Sequence, residues 1–211
     1  MRVLPTAPST RWARGFRRAL NPVGESQCGA VGLEWAVSDD GRQPRRDSQR
    51  AKVYDGEQLV RGVFDRAAEF GHRTVDIYGS QVTLPVERRF ASVESVQSYV
   101  DKVLALNWVR GQWARAGVPV RVRARAGSSA AHYEVAEAVL AVPLHTGVSA
   151  WALRELVVLH ELAHHLAPTA GEAPHGPEFC TRYIELVDGV IGPEAALLIR
   201  ATFGGCGVRF G

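Results

Sequence analysis

At 211 residues and 23.0 kDa the chain has room for one domain with an extension, or two small ones, and its 46% hydrophobic content is ordinary for a protein with a packed core. No run of 18 apolar residues occurs, which excludes a membrane-spanning helix. The formal net charge of +3 is unevenly held: residues 1–46 carry eight arginines against four carboxylates and the remainder is slightly acidic, so the body lacks the basic balance of a nucleic-acid binder.

Residues 1–45 mix Pro, Gly, Ser and Arg without sustained periodicity, a composition that buries too little surface to offset chain entropy. It predicts a disordered extension or a misassigned start, in preference to a transit peptide built on the acid-free, arginine-rich stretch from Arg2 to Arg18. From Arg46 the texture changes. Between Asp47 and Phe70, Val53, Leu59, Val60, Val63, Phe64 and Ala67 recur at helical steps, and Gly71 stops the helix. Thr74–Tyr78 and Gln81–Val86 read as a hairpin around Gly79-Ser80. Ser92 and Glu94 precede a second helix through Trp113. Val118–Ala126 alternates as a strand whose Arg121, Arg123 and Arg125 share one face, the charged face of a solvated or protected edge. Ala131–Glu134 and Ala138–Pro143 add a further strand or strand pair.

Ser149 is placed to cap a helix from Ala150 to Ala167, which Pro168 ends. A Pro/Gly-rich loop leads to Pro177 at the first turn of a helix reaching about Asp188, and Pro193 opens a last helix through about Phe203. The expected fold is α+β: a small, mostly antiparallel sheet packed against the Ala150–Ala167 helix and the C-terminal helices, all within residues 46–211. Cys28, Cys180 and Cys206 form neither a disulfide framework nor a CxxC pair, which fits incidental residues in a reducing cytoplasm.

The chemistry concentrates in Leu159-His160-Glu161-Leu162-Ala163-His164-His165. His160 and His164 stand one helical turn apart on one face, so both imidazoles can reach a single tetrahedral ion. Glu161, about 100° round the helix, is placed for a metal-bound water instead. A metal lowers the pKa of that water toward about 7, and a neighbouring carboxylate can take its proton and pass it to a leaving group. Without a metal, two histidines and a glutamate on a half-buried helix would leave several polar groups to satisfy.

A catalytic zinc site needs a third protein ligand and an open position. Metzincin spacing would put histidine at position 170, which is Ala170, so that geometry is excluded. His175, beyond the Pro/Gly loop, is the preferred third ligand, with Glu172 and Glu178 as rivals and Glu178 also as a residue that orients a ligand imidazole. His165 faces away from His164 and is assigned to packing or support, and His72, His132 and His145 have no ligand spacing. Tyr183 could donate to an oxyanion, but Phe179, Tyr183, Leu186 and Val190 at helical steps read first as core.

His160 to Leu166, followed by His175-Gly176-Pro177-Glu178-Phe179, resembles the HExxH…HGxxF layout of SprT-like and related minimal zincin metallopeptidases. Together with Arg46-Asp47-Ser48-Gln49-Arg50-Ala51-Lys52-Val53-Tyr54, it is more closely similar to an actinobacterial family of HExxH metallohydrolases, over roughly residues 46–204. That resemblance implies a zincin-like domain with Zn2+ held by His160, His164 and His175, and Glu161 as base. It supplies no substrate. Two departures from SprT-like proteins, the missing C-terminal zinc ribbon and the missing basic balance, count against a DNA-linked protease. The expectation is a metallopeptidase in which a zinc-bound water activated by Glu161 attacks an amide carbonyl of a peptide or protein. A strand near Ala138–Val142 would pair with the extended substrate. Neither nucleic acid nor membrane is an expected partner. The alternatives are a non-hydrolytic zincin-like binding or regulatory module, and a SprT-like DNA-associated protease.

Overall fold

Val53, Val60, Val63, Phe64 and Ala67 are buried along one side of helix α1 (Arg50–Phe70), as their spacing predicts. The computed structural model describes residues 46–125, 130–143, 153–168 and 171–211. The extension expected at residues 1–45, the proposed cap Ser149 and the histidine at 145 lie outside the described residues. Gly71 ends α1 in the left-handed region (φ 66°), where a side chain would be strained. Within α1, Gly56 allows close approach: a Cβ there would lie 2.7 Å from the Phe203 ring.

The hairpin is shorter than its sequence signal and turns one residue earlier. Strand β1 (Thr74–Ile77) pairs antiparallel with β2 (Ser80–Thr83) through Tyr78 and Gly79, both at positive φ. Helix α2 (Val93–Leu104) starts at Ser92, whose side chain exchanges hydrogen bonds with Ser95 in a capping box. The single helix expected through Trp113 is broken. Leu106 is extended, and α3 (Asn107–Gln112) and a 3-10 turn (Ala114–Gly117) follow in new directions. Close packing of Trp108 goes with the break: its indole meets Gly189, where a Cβ would sit 2.5 Å from the ring.

Three strands, β3 (Arg121–Arg125), β4 (His132–Glu134) and β5 (Val139–Pro143), form a sheet in the order β3-β5-β4. The expectation of a mostly antiparallel sheet is corrected here. β5 is antiparallel to β4 but parallel to β3, because it folds back from β4 through a tight turn at 135–138 and slots between the two. All five β5 residues are buried, so this strand has no edge to offer a substrate. The outer edge of β3 is closed by Gln97 of α2, which donates to the Val120 carbonyl and accepts from the Val122 N–H. Arg123 pairs with Glu134 and Arg125 with His132, so these two arginines of the β3 face are satisfied within the sheet.

Helix α4 (Glu155–His165) is buried on nearly every side, so its polar side chains must find partners in the interior. Its start is pinned by charge. Arg154 chelates Glu87 and Asp65, Glu87 also accepts the Leu156 N–H, and Glu155 receives Arg88 and the Tyr99 hydroxyl. Helices α5 (Pro177–Val190) and α6 (Pro193–Gly205) each open on proline; α5 packs on α4 and α6, and α6 closes on α1. No described helix is long and apolar enough to cross a membrane.

Candidate metal centre

His160, His164 and His175 come together: each offers one ring nitrogen, and these atoms all lie within 4.8 Å of one another, the one such group of three or more potential ligands among the described residues. The Nε2 atoms of His160 and His164 are 3.2 Å apart, close to the roughly 3.4 Å between ligands of a tetrahedral ion with 2.0–2.1 Å bonds. His160 and His175 are buried, while His164 is half-buried and marks the accessible side.

Helix spacing alone places the first pair. The third histidine depends on a loop, and Gln49 holds that loop by donating to the carbonyls of His175 and Arg209 while accepting the Arg209 N–H. The rivals fall away. Glu172 is paired with Arg182 at 2.6 Å, and neither Glu172 nor Glu178 joins the histidine group.

Two carboxylates that no sequence motif marks stand behind the histidines. Glu57 Oε1 lies 2.5 Å from His160 Nδ1, and Asp47 Oδ2 lies 2.7 Å from His175 Nδ1. A carboxylate accepts only, so each Nδ1 carries the proton and each Nε2 presents a lone pair inward. The Nε2 of His175 is buried with no hydrogen-bond partner. A buried ring nitrogen with an unused lone pair costs stability unless something takes it, and a cation with nitrogen affinity does so. The donor set therefore fits a metal ion with affinity for nitrogen. Burial would lower the pKa of His160, but Glu57 overrides it and holds the value above the ordinary one. Burial and the neighbouring imidazoles hold His164 well below its usual range, and burial lowers His175 against the pull of Asp47.

Glu161 is buried beside the group, and its pKa is pushed up to about 7 by burial; Glu57 raises it further, and His160 and the Tyr133 N–H pull it down. Tyr133 belongs to β4, so that strand runs against Glu161. His165, assigned to packing or support, explains how: it is fully buried, its Nδ1 lies 2.8 Å from the Tyr133 hydroxyl, and its Nε2 lies 3.0 Å from the Arg115 carbonyl. Tyr183 is core, buried under Phe179 and Phe203 with its hydroxyl donated to the Leu156 carbonyl at 3.4 Å.

A second pair from α1 reaches the opening. The Tyr54 ring lies 5.8 Å from that of His160 and 5.2 Å from that of His175, and it is 37% exposed. The Arg50 guanidinium sits 5.6 Å from the Tyr54 ring centroid. The signal for these four residues was present as a polar stripe, Asp47, Arg50, Tyr54 and Glu57, at steps of three and four. The apolar stripe over the same stretch is the stronger periodic signal and masks it. Compared with protein-family models, curated protein sequences and solved structures, the chain has no significant match, so the functional reading stands on this geometry.

Proposed function

We propose that the chain is a zinc-dependent metallopeptidase with a zincin-like domain, in which His160, His164 and His175 hold the ion and Glu161 is the general base. One observation carries the reading: two of three converging imidazoles have their outer nitrogens tied to carboxylates, and the inner nitrogen of the third-ligand candidate is buried without a partner. The bound ion would supply a Lewis acid and lower the pKa of water at its open position. Glu161 takes the proton of the attacking water and delivers it to the leaving nitrogen. A carboxylate with a pKa near 7 is suited to both transfers, because it neither holds nor releases the proton too strongly at neutral pH.

The peptide class is supported by β4. Among the described residues its only strand neighbour is β5, and its Tyr133 backbone N–H interacts with Glu161. An extended peptide pairing along this edge would bring a backbone carbonyl to the base. The role given earlier to the strand near Ala138–Val142 thus passes to its neighbour. The test is metal analysis with casein hydrolysis, comparing wild type and Glu161→Gln. About one equivalent of zinc is expected in both proteins, with activity reduced at least about 100-fold in the variant. Absence of bound metal, or equal activity in both proteins, overturns the reading.

A further inference from the structure

We propose that Tyr54 and Arg50, one turn apart on α1, form the electrophilic arm of this site and hydrogen-bond the substrate carbonyl oxygen as it becomes negative. The inference rests on the hydrolase reading above and adds two residues that bind substrate from the helix that also supports the ligands.

The polar stripe that runs from Asp47 into α1 divides by task. Asp47 and Glu57 each hold a ligand imidazole from behind. Tyr54 and Arg50 lie between them in sequence, hold no ligand nitrogen, and are exposed where the ligands they approach are buried. Tyr54 covers both His160 and His175, so its ring borders the side from which a substrate must enter. The Arg50 guanidinium stands over that ring, and its charge is felt at Tyr54, Asp47 and His164.

Other polar side chains near the histidines are occupied. The Tyr183 hydroxyl is donated to Leu156, His165 is held between Tyr133 and Arg115, and Arg182 is held by Glu172 and the Ala163 carbonyl. Glu161 accepts and moves protons but, once ionised, cannot donate to an oxyanion. A phenol and a guanidinium do the reverse: they donate and do not act as base at neutral pH. As the water oxygen bonds to the carbonyl carbon, the π pair moves onto the carbonyl oxygen, and Tyr54 O–H and Arg50 N–H donate to it without transferring a proton. The pair returns when the C–N bond breaks, and Glu161 protonates the departing nitrogen.

The arm is tested on cobalt(II)-loaded protein titrated with inorganic phosphate, a tetrahedral anion, and followed by its visible spectrum. Tyr54→Phe keeps the ring against His160 and His175 and removes only the hydroxyl; Arg50→Met removes the charge from an exposed position. Each is expected to bind cobalt within about 2-fold of wild type and phosphate about 10-fold more weakly, with Arg50→Lys recovering part of the loss. In the zinc form, casein turnover falls about 100- to 1,000-fold in kcat for Tyr54→Phe, with KM changed only a few-fold. Unchanged phosphate affinity in both variants overturns the arm. So does a phenolate-to-metal charge-transfer band that Tyr54→Phe abolishes, since Tyr54 would then be a ligand. Failure of the wild type to bind cobalt removes the metal reading and the arm with it, whereas cobalt binding with unmoved phosphate affinity removes the arm alone. Should Tyr54→Phe not fold, Arg50→Met decides the question.

Discussion

Glu161 is buried where its charged form is destabilised. Burial raises its pKa to about 7 in the folded protein from an ordinary value of 4.5. A carboxyl whose pKa is raised on folding binds its proton more tightly in the native state, so its favourable contribution is complete below about pH 4.5 and is lost as pH climbs through 7. In metal-free protein the loss is on the order of 3 kcal/mol, an upper figure for a fully buried group. Glu161→Gln removes the titration. Its stability advantage over wild type in chelator should therefore be small at pH 5 and grow to about 2–3 kcal/mol at pH 8, as read by urea denaturation. A difference that does not change with pH would mean that the carboxyl does not titrate in this window. Asp47 and Glu57 lead to a second expectation at the same scale. Asp47→Asn and Glu57→Gln keep a similar shape but lose the charge that fixes each imidazole, and zinc affinity should fall about 10- to 100-fold in each. Competition with a chromophoric chelator measures it, and undiminished affinity would leave both carboxylates as mere packing partners.

At the scale of elements, α4 was legible in sequence because its constraint is local. Two histidines four apart on a helix define their own geometry, and the run of apolar residues before them announces burial. The place of His175 in the histidine group was legible from its position beyond a Pro/Gly loop, but not in cause, since Gln49 and Asp47 lie more than a hundred residues away and no short-range pattern encodes that contact. Sheet direction was misread for a related reason: β3 and β5 are parallel only because β4, which lies between them in the chain, pairs on the far side, a fact of topology rather than of alternation. The same distance hides the anchor of α4. Arg154, a charge at a helix start, is nearly fully buried against Glu87. Arg154→Met should cost about 3–5 kcal/mol by stranding that carboxylate, and adding Glu87→Leu should return part of the loss, since the penalty is the unpaired charge. If the double variant is no more stable than the single one in urea denaturation, the helix start depends on the contacts themselves rather than on charge balance.

For the molecule as a whole, the centre joins segments that are remote in the chain. His160 and His164 come from α4, His175 from the loop before α5, and their supports from Asp47, just before α1, and Glu57 within it; the start of α1 is tied through Gln49 to Arg209 near the C-terminus. An ion held by all three histidines binds the folded chain and not the unfolded one, so it stabilises by mass action: about 4 kcal/mol at a thousandfold excess over Kd. For a chain of this length that corresponds to a Tm lower by about 10 °C after chelation at pH 7.5. The effect has a pH sign. Glu57 holds the pKa of His160 above its ordinary value in the metal-free protein, so a proton competes for the very nitrogen that the ion needs, and the competition strengthens as pH falls. The Tm difference between metal-loaded and chelated protein should therefore shrink steadily from pH 7.5 to 5.5. A chelation effect of the same size at both pH values would place the ion on groups that do not titrate there. No effect at pH 7.5, in protein shown to contain metal, would mean that the ion does not bridge α4 and the His175 loop.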